Sequence, residues 1–223
     1  MKIVIYCLNF APEIVGVGKY NGELAEFLNQ KGHDVHVITS PKYYPDWQIE
    51  NNNYKLDENY NFKVYRCPIY VPRKPTGIKR ILHLISFSIT SSPILFSQIK
   101  WKPDLIILIS PTIVCFANVF IFKLFSKKNF FSLLHIQDFE IDAAFNLKIL
   151  GFKFFKNILI QIESYILKNF TFVSTISPGM INKLISKGVQ KKKIYYFPNW
   201  VDINKINNDK LLLNNKNYYR KHL

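Results

Sequence analysis

The chain has 223 residues, 48% hydrophobic and 20% charged, a composition that folds around a core and excludes a disordered chain. Thirty Lys and Arg against fifteen Asp and Glu leave a net charge of +15, which favours anionic partners: nucleic acid, acidic lipid or phosphorylated ligands. Cys7, Cys67 and Cys115 are odd in number and widely spaced with no C-x-x-C, which argues against a disulfide framework and suits buried thiols in a reducing compartment.

Lys2–Leu8 is a continuous apolar run of the kind that forms a strand buried on both faces. The opening MKIVIYCLNF is too short an apolar run for a signal peptide, so export is not expected. A glycine-bearing loop follows, then a helix over about Gly18–Lys31 with Leu24, Phe27 and Leu28 as its inner face and Gly32 as its C-terminal stop. Asp34–Thr39 is a second strand and Phe62–Arg66 a third; the polar stretch YYPDWQIENNNYKLDENYN between them reads as a surface loop. Lys79–Lys100 is helical with a break expected near Pro93.

Strand Asp104–Ile109, helix Thr112–Phe125 and strand Asn129–His135 continue the alternation. A long helix around Leu150–Lys168, strand Thr171–Thr175, helix Pro178–Lys187 opened by its proline, and strand Lys193–Phe197 complete it. The uncharged runs Ile81–Ile99 and Leu105–Phe122 approach membrane-spanning length. The first holds His83, Pro93 and many Ser and Thr; the second breaks at Ser110-Pro111-Thr112, so both read as elements of a folded domain, with peripheral membrane contact left open. Strands separated by helices specify an α/β fold: a doubly wound, mostly parallel sheet with right-handed crossovers. Residues 1–200 form this domain, and 201–223, Asn-rich and without strand pattern, read as the start of an interdomain linker or a disordered tail.

Three places carry chemistry. In APEIVGVGKYNGEL, Gly16 and Gly18 allow close backbone approach, and the helix behind them offers free N–H groups to an anion. The third glycine, Gly22, falls one position late for G-x-G-x-x-G, and the second strand ends in Thr39-Ser40 without a ribose-binding acid, so a nicotinamide enzyme is disfavoured. A tight strand-to-helix turn is the plainer alternative. In HIQDFEIDAA, His135 ends a strand and Asp138, Glu140 and Asp142 follow. With no second histidine nearby, a metal site is disfavoured, and helix capping accounts for one acid only. The set reads as a polar ledge for sugar hydroxyls, one carboxylate serving as base and the imidazole standing at the reacting centre.

The third is basic and aromatic: YVPRKPTGIKR, FKLFSKK and KILGFKFFKNILIQIESYILK. Such segments fit an anionic membrane interface or are core helices with ordinary solvated lysines. No nucleic-acid-binding signature accompanies the charge, so nucleic acid is not expected as a partner.

Taken in order, NFAPEIVGVGKYNGELAEFLNQKGHDVHVITS, YYPDW, KPDLIILISPT, LLHIQDFEIDAA, STISPGM and FPNWVDI resemble the N-terminal domain of family 4 glycosyltransferases, the retaining two-Rossmann (GT-B) class. The wording of YYPDW and HIQDFEIDAA looks closest to the colanic-acid fucosyltransferase type, which builds polysaccharide on a lipid carrier. The resemblance implies a nucleotide-sugar donor, a lipid-linked saccharide acceptor and no metal or other cofactor. It implies that Gly16 and Gly18 approach the donor diphosphate, that His135 contacts the transferred sugar, and that the stretch after it faces the acceptor, with His135 and Asp138 as the catalytic residues. Tyr20, Glu140, Asp142 and Asn199 would contact substrate.

The family's second Rossmann domain, with its E-x7-E pair, has no counterpart here. Glu50 and Glu58 have that spacing but lie in the Asn-rich loop, a coincidence. The expectation is therefore the acceptor-binding half of an enzyme, incomplete without a donor-binding partner, working in the cytoplasm at the inner face of the cell membrane. The alternative is a non-catalytic module that holds an acceptor or recruits a partner at that surface.

Overall fold

The computed structural model describes residues 1–14, 16–49, 56–139 and 153–201. Among the described residues eight strands form one sheet in the order β3-β4-β2-β1-β5-β6-β7-β8. They are β1 (Lys2–Cys7), β2 (Asp34–Thr39), β3 (Leu56–Asp57), β4 (Lys63–Arg66), β5 (Leu105–Ile109), β6 (Phe131–Ile136), β7 (Phe172–Thr175) and β8 (Ile194–Tyr196). All neighbours pair in parallel except the two-residue β3, which lies antiparallel to β4. The chain winds outward from β1 to β2 and β4, then returns past β1 to β5, so the order reverses between β1 and β5. In an open parallel sheet that switch point opens a crevice at the strands' carboxyl ends. The structure is thus the doubly wound α/β fold read from the sequence.

The helices are α1 (Val17–Gln30), α2 (Gly77–Trp101), α3 (Phe116–Phe125), α4 (Lys153–Asn169) and α5 (Pro178–Ser186). Successive side chains of a strand point to opposite faces, and β1 divides accordingly. Ile3, Ile5 and Cys7 join α1 on one face, while Val4, Tyr6 and Leu8 join the core under α2, α3, α4 and α5 on the other. All three cysteines are buried and none forms a disulfide.

Three expectations change. The inner face of α1 is only in part the expected one: Leu24 and Leu28 are partly buried and pack against the core, but Phe27 is 55% exposed, and the most buried positions are Gly18, Asn21, Gly22 and Ala25. Small residues are needed there because the loop after β1 lies against the helix; a Cβ on Gly22 would stand 2.6 Å from the Ala11 Cβ. Next, α2 does not break at Pro93. The Ile89 carbonyl, which proline cannot serve, accepts instead from the Ser92 hydroxyl at 2.8 Å. Finally, the segment after β2 is more than a surface loop. It contains β3, and Tyr43 is buried against His83 and Trp47, with ring centroids 4.8 and 5.5 Å away. The expected start of the long helix at 150–152 and the tail 202–223 lie outside the described residues, as does Glu50.

Candidate active site at the carboxyl edge

Parallel register places the sequence-derived residues at one end of the sheet. Cys7 of β1 is level with Ile109 of β5, and Ile109 with His135 of β6. Gly16, at the start of α1, follows the loop leaving β1, so Gly16 and His135 share the carboxyl edge.

The loop after β1 is held by a buried carboxylate that the sequence reading passed over. Glu13 is 2% exposed; its Oε2 accepts from Asn9 Nδ2 at 2.9 Å, and its Oε1 accepts from the Tyr44 and Tyr43 amides at 3.2 and 3.4 Å. Burial pushes its pKa up, against the lowering effect of these donors. Gly18 leaves room for Glu13: an added Cβ would lie 2.5 Å from Oε2 and 2.7 Å from the Glu13 Cβ. Gly18 is buried, so its want of a side chain serves this packing, whereas Gly16 is exposed and has φ +64°, the left-handed region that favours glycine. Gly16, the N-cap of α1, has no side chain to cap the helix and none of the helix's own first-turn residues is acidic, so the Glu13 carboxylate packed against Gly18 is the negative group beside that positive end.

Arg66, at the end of β4, ties the edge together. It donates to the Ala11 carbonyl at 2.6 Å, to the Ser40 carbonyl at 3.1 Å and to Asp57 Oδ2 at 3.0 Å. Asp57 is held below the usual carboxylate range by Arg66 and Asn59, which outweigh its desolvation.

His135 is 3% exposed. Its Nδ1 lies 2.8 Å from Ser174 Oγ and its Nε2 3.0 Å from Gln137 Nε2. An amide nitrogen can only donate, so we assign the proton to Nδ1, which donates to Ser174, and the lone pair to Nε2. Burial lowers the pKa to about 4, so the ring is neutral near pH 7. Gln137 also donates to Asn199 Oδ1 at 3.1 Å.

From His135 a run of rings crosses to α1. Phe197 lies 5.4 Å from His135, Trp200 5.7 Å from Phe197, and Tyr20 5.3 Å from Trp200, as centroid distances. Trp200 Nε1 donates to Glu23 Oε2 at 2.7 Å, fastening the segment after β8 to the first turns of α1. His135, Asn199, Tyr20 and the start of α1 are therefore assembled together. Asp138 is not joined to His135: its side chain is exposed and its backbone carbonyl accepts from Ser110 Oγ at 2.8 Å. Glu140 and Asp142 lie outside the described residues. Among the described residues no three His, Cys, Asp or Glu side chains converge as metal ligands would. A groove of about 410 Å³ lined by Asp34, Asp57, Tyr60 and Lys63 opens at the other end of the sheet, away from His135.

Residues 15–200 match the model of the glycosyl transferase 4-like domain. The chain belongs to that family. A protein of Escherichia coli K12 named colanic acid biosynthesis glycosyl transferase WcaI is 43% identical to this family 4-like chain over 211 residues, 91% of the chain and 51% of WcaI. The chain thus spans about half the length of that curated relative. Among solved structures, a sucrose-phosphate synthase from Thermosynechococcus elongatus matches with TM-score 0.57 and 16% identity, covering 96% of this chain and 97% of that one. The catalytic domain of starch synthase IV from Arabidopsis thaliana, bound to ADP and acarbose, matches with TM-score 0.60 and 16% identity over 92% of this chain and 52% of its own. At that identity these two support the fold alone, the doubly wound lobe of this glycosyltransferase family.

Proposed function

We propose that this chain is the acceptor-side lobe of a retaining glycosyltransferase that moves a sugar from a nucleotide-sugar to a lipid-linked saccharide in cell-surface polysaccharide synthesis. The whole enzyme works at the cytoplasmic side of the membrane and uses a second, donor-binding lobe, on the same polypeptide or a separate one. The observation that carries this reading is the shared edge: a buried neutral imidazole and an uncapped helix start, bridged by Phe197, Trp200 and Tyr20.

In this mechanism Gly16 and the amides of the first turn of α1 meet the donor diphosphate, and charge on the departing nucleotide is stabilised by N–H groups and basic side chains, with no metal required. His135 keeps its Nδ1 proton on Ser174 and offers Nε2 to a hydroxyl of the transferred sugar once the Gln137 amide turns aside. Gln137 and Asn199 then reorient together, because they share a hydrogen bond. Asp138, already exposed, accepts from the incoming acceptor hydroxyl, and Glu140, Asp142 and Tyr20 contact acceptor or donor sugar.

The test is sugar transfer from a panel of nucleotide-sugars to a lipid-linked saccharide, by the chain alone and with a donor-binding lobe supplied. Transfer that requires both lobes is expected; no transfer in either setting would remove the reading.

A further inference from the structure

The described parts of the three basic and aromatic stretches of the sequence come together in one layer. α2, α3 and α4 lie on the same face of the sheet, with Phe87, Leu95, Phe122, Ile166 and Leu167 turned into one core. Their outer sides remain apolar. On α2, Ile78, Leu82 and Ile89 are 74, 49 and 66% exposed, and the spacing of four and seven puts them on one stripe. On α3, Leu124 and Phe125 are 82 and 67% exposed. On α4, Ile158, Ile162 and Tyr165 repeat the stripe at 45, 43 and 59%, and Tyr165 reaches Phe120 of α3 at 6.5 Å between centroids.

α2 is 25 residues long and apolar enough, by length and composition, to cross a membrane. Its inner side is committed elsewhere. Gln98 bonds His36 at 2.6 Å and Ser91 bonds Tyr6 at 2.5 Å, while Phe87 and Leu95 are fully buried. The helix therefore cannot leave the sheet to span a bilayer, and its apolar outer side is suited to lying along one.

Charge decides the occupant. Between Asn59 and Gln137 the sequence has eleven lysines and arginines and a single acid, Asp104. That acid is taken by Lys128 and the Lys2 amide. Arg73, Lys74, Lys79 and Arg80 flank the exposed stripe where α2 begins, and Lys123 and Lys127 flank it where α3 ends; all six are exposed. A second copy would oppose this face with the same basic rim, so self-association is disfavoured. A donor-binding lobe would meet the carboxyl edge, whereas this layer covers the flank of the sheet.

We propose that the outer face of α2, α3 and α4 docks flat on an anionic lipid bilayer, with its Ile, Leu and Phe side chains at headgroup depth and its basic rim on the lipid phosphates. The start of α2 carries the docking face up to the carboxyl edge, where His83 packs against Trp47 at 5.2 Å and Arg80 stands 5.9 Å over the same ring. The inference rests on the functional reading above only for this orientation, which presents the site to a lipid-borne acceptor; the docking itself needs no catalysis.

The test is co-sedimentation of the chain with vesicles of phosphatidylcholine alone and of phosphatidylcholine with phosphatidylglycerol, at low and high salt. Binding only to the anionic vesicles, weakened by salt, is expected. Arg73→Gln, Lys74→Gln and Lys79→Gln together should weaken it on the order of a hundredfold, at about 1 kcal/mol per basic residue near the surface. Leu82→Ser with Leu124→Ser and Phe125→Ser should abolish the salt-resistant part. All these positions are exposed, so thermal melts should be unchanged and loss of binding will not reflect unfolding. No binding of the unaltered chain, equal binding by the variants, or a stable dimer that the serine variants dissociate would each overturn the proposal. Sugar transfer to a water-soluble acceptor without vesicles tests the catalytic reading separately.

Discussion

Gly18→Ala tests the account of the loop after β1. In an exposed helix the change would stabilise, since alanine is about 1 kcal/mol better than glycine. Here the new methyl meets Glu13 at 2.5 Å from Oε2 and 2.7 Å from Cβ. The second contact cannot be relieved by a side-chain rotation, so the loop must shift. Overpacking of this kind costs about 1–3 kcal/mol. Displacing the carboxylate from Asn9 and the Tyr43 and Tyr44 amides costs about 1–3 kcal/mol more. Set against the helix gain, the net is roughly 1–5 kcal/mol of destabilisation, or a melting point lower by roughly 2–20 °C for a domain of this size. Denaturant and thermal unfolding read it directly. The decisive control is the double variant with Glu13→Gly, glycine being chosen because the Glu13 Cβ is itself part of the clash. On that background Gly18→Ala should be neutral or stabilising, a coupling of about 2 kcal/mol or more. A stabilising Gly18→Ala on the native background would refute the reasoning.

Other outcomes follow from the same structure. Below about pH 6.5 the unfolded chain protonates its histidines, while folded His135, with a pKa of about 4, stays neutral. Stability is therefore full above pH 6.5 and falls as pH drops towards 4, by about 3 kcal/mol from this residue. His36 and His83, also lowered by burial, act in the same direction, so His135→Gln should flatten the profile only in part; an unchanged profile would count against a buried neutral His135. Ser177 Oγ accepts from the Met180 amide at 3.3 Å to cap α5, so Ser177→Ala should cost about 1 kcal/mol in denaturant unfolding.

What the sequence discloses is what local pattern controls. The apolar run at Lys2–Cys7 and the Gly32 stop, with φ +80° and its amide bonded to the Asn29 carbonyl at 2.9 Å, need only neighbours along the chain, and both are as read. His135 was legible because it stands at a strand's end beside polar residues. Gln137, between His135 and Asp138, was not, because its partner Asn199 is 62 residues away. Glu13 and Arg66 were hidden for the same reason: their roles come from the Tyr43–Tyr44 amides and the Ala11 carbonyl, brought near only by the sheet. Phe27 misled because its place beside Leu24 and Leu28 in an amphipathic pattern suggested the core, whereas the close approach of the 9–13 loop turns Gly18 and Gly22 inward.

The central claim is that the buried imidazole and the open helix start form one half of a transfer site. Turnover of His135→Ala, compared with the unaltered chain in the presence of a donor-binding lobe and at matched folded fraction, tests it most directly. A loss of roughly ten- to ten-thousand-fold is predicted, the range of a lost acid–base or polar contact at a reacting centre. Unchanged turnover would contradict the account and leave His135 a core residue bonded to Ser174.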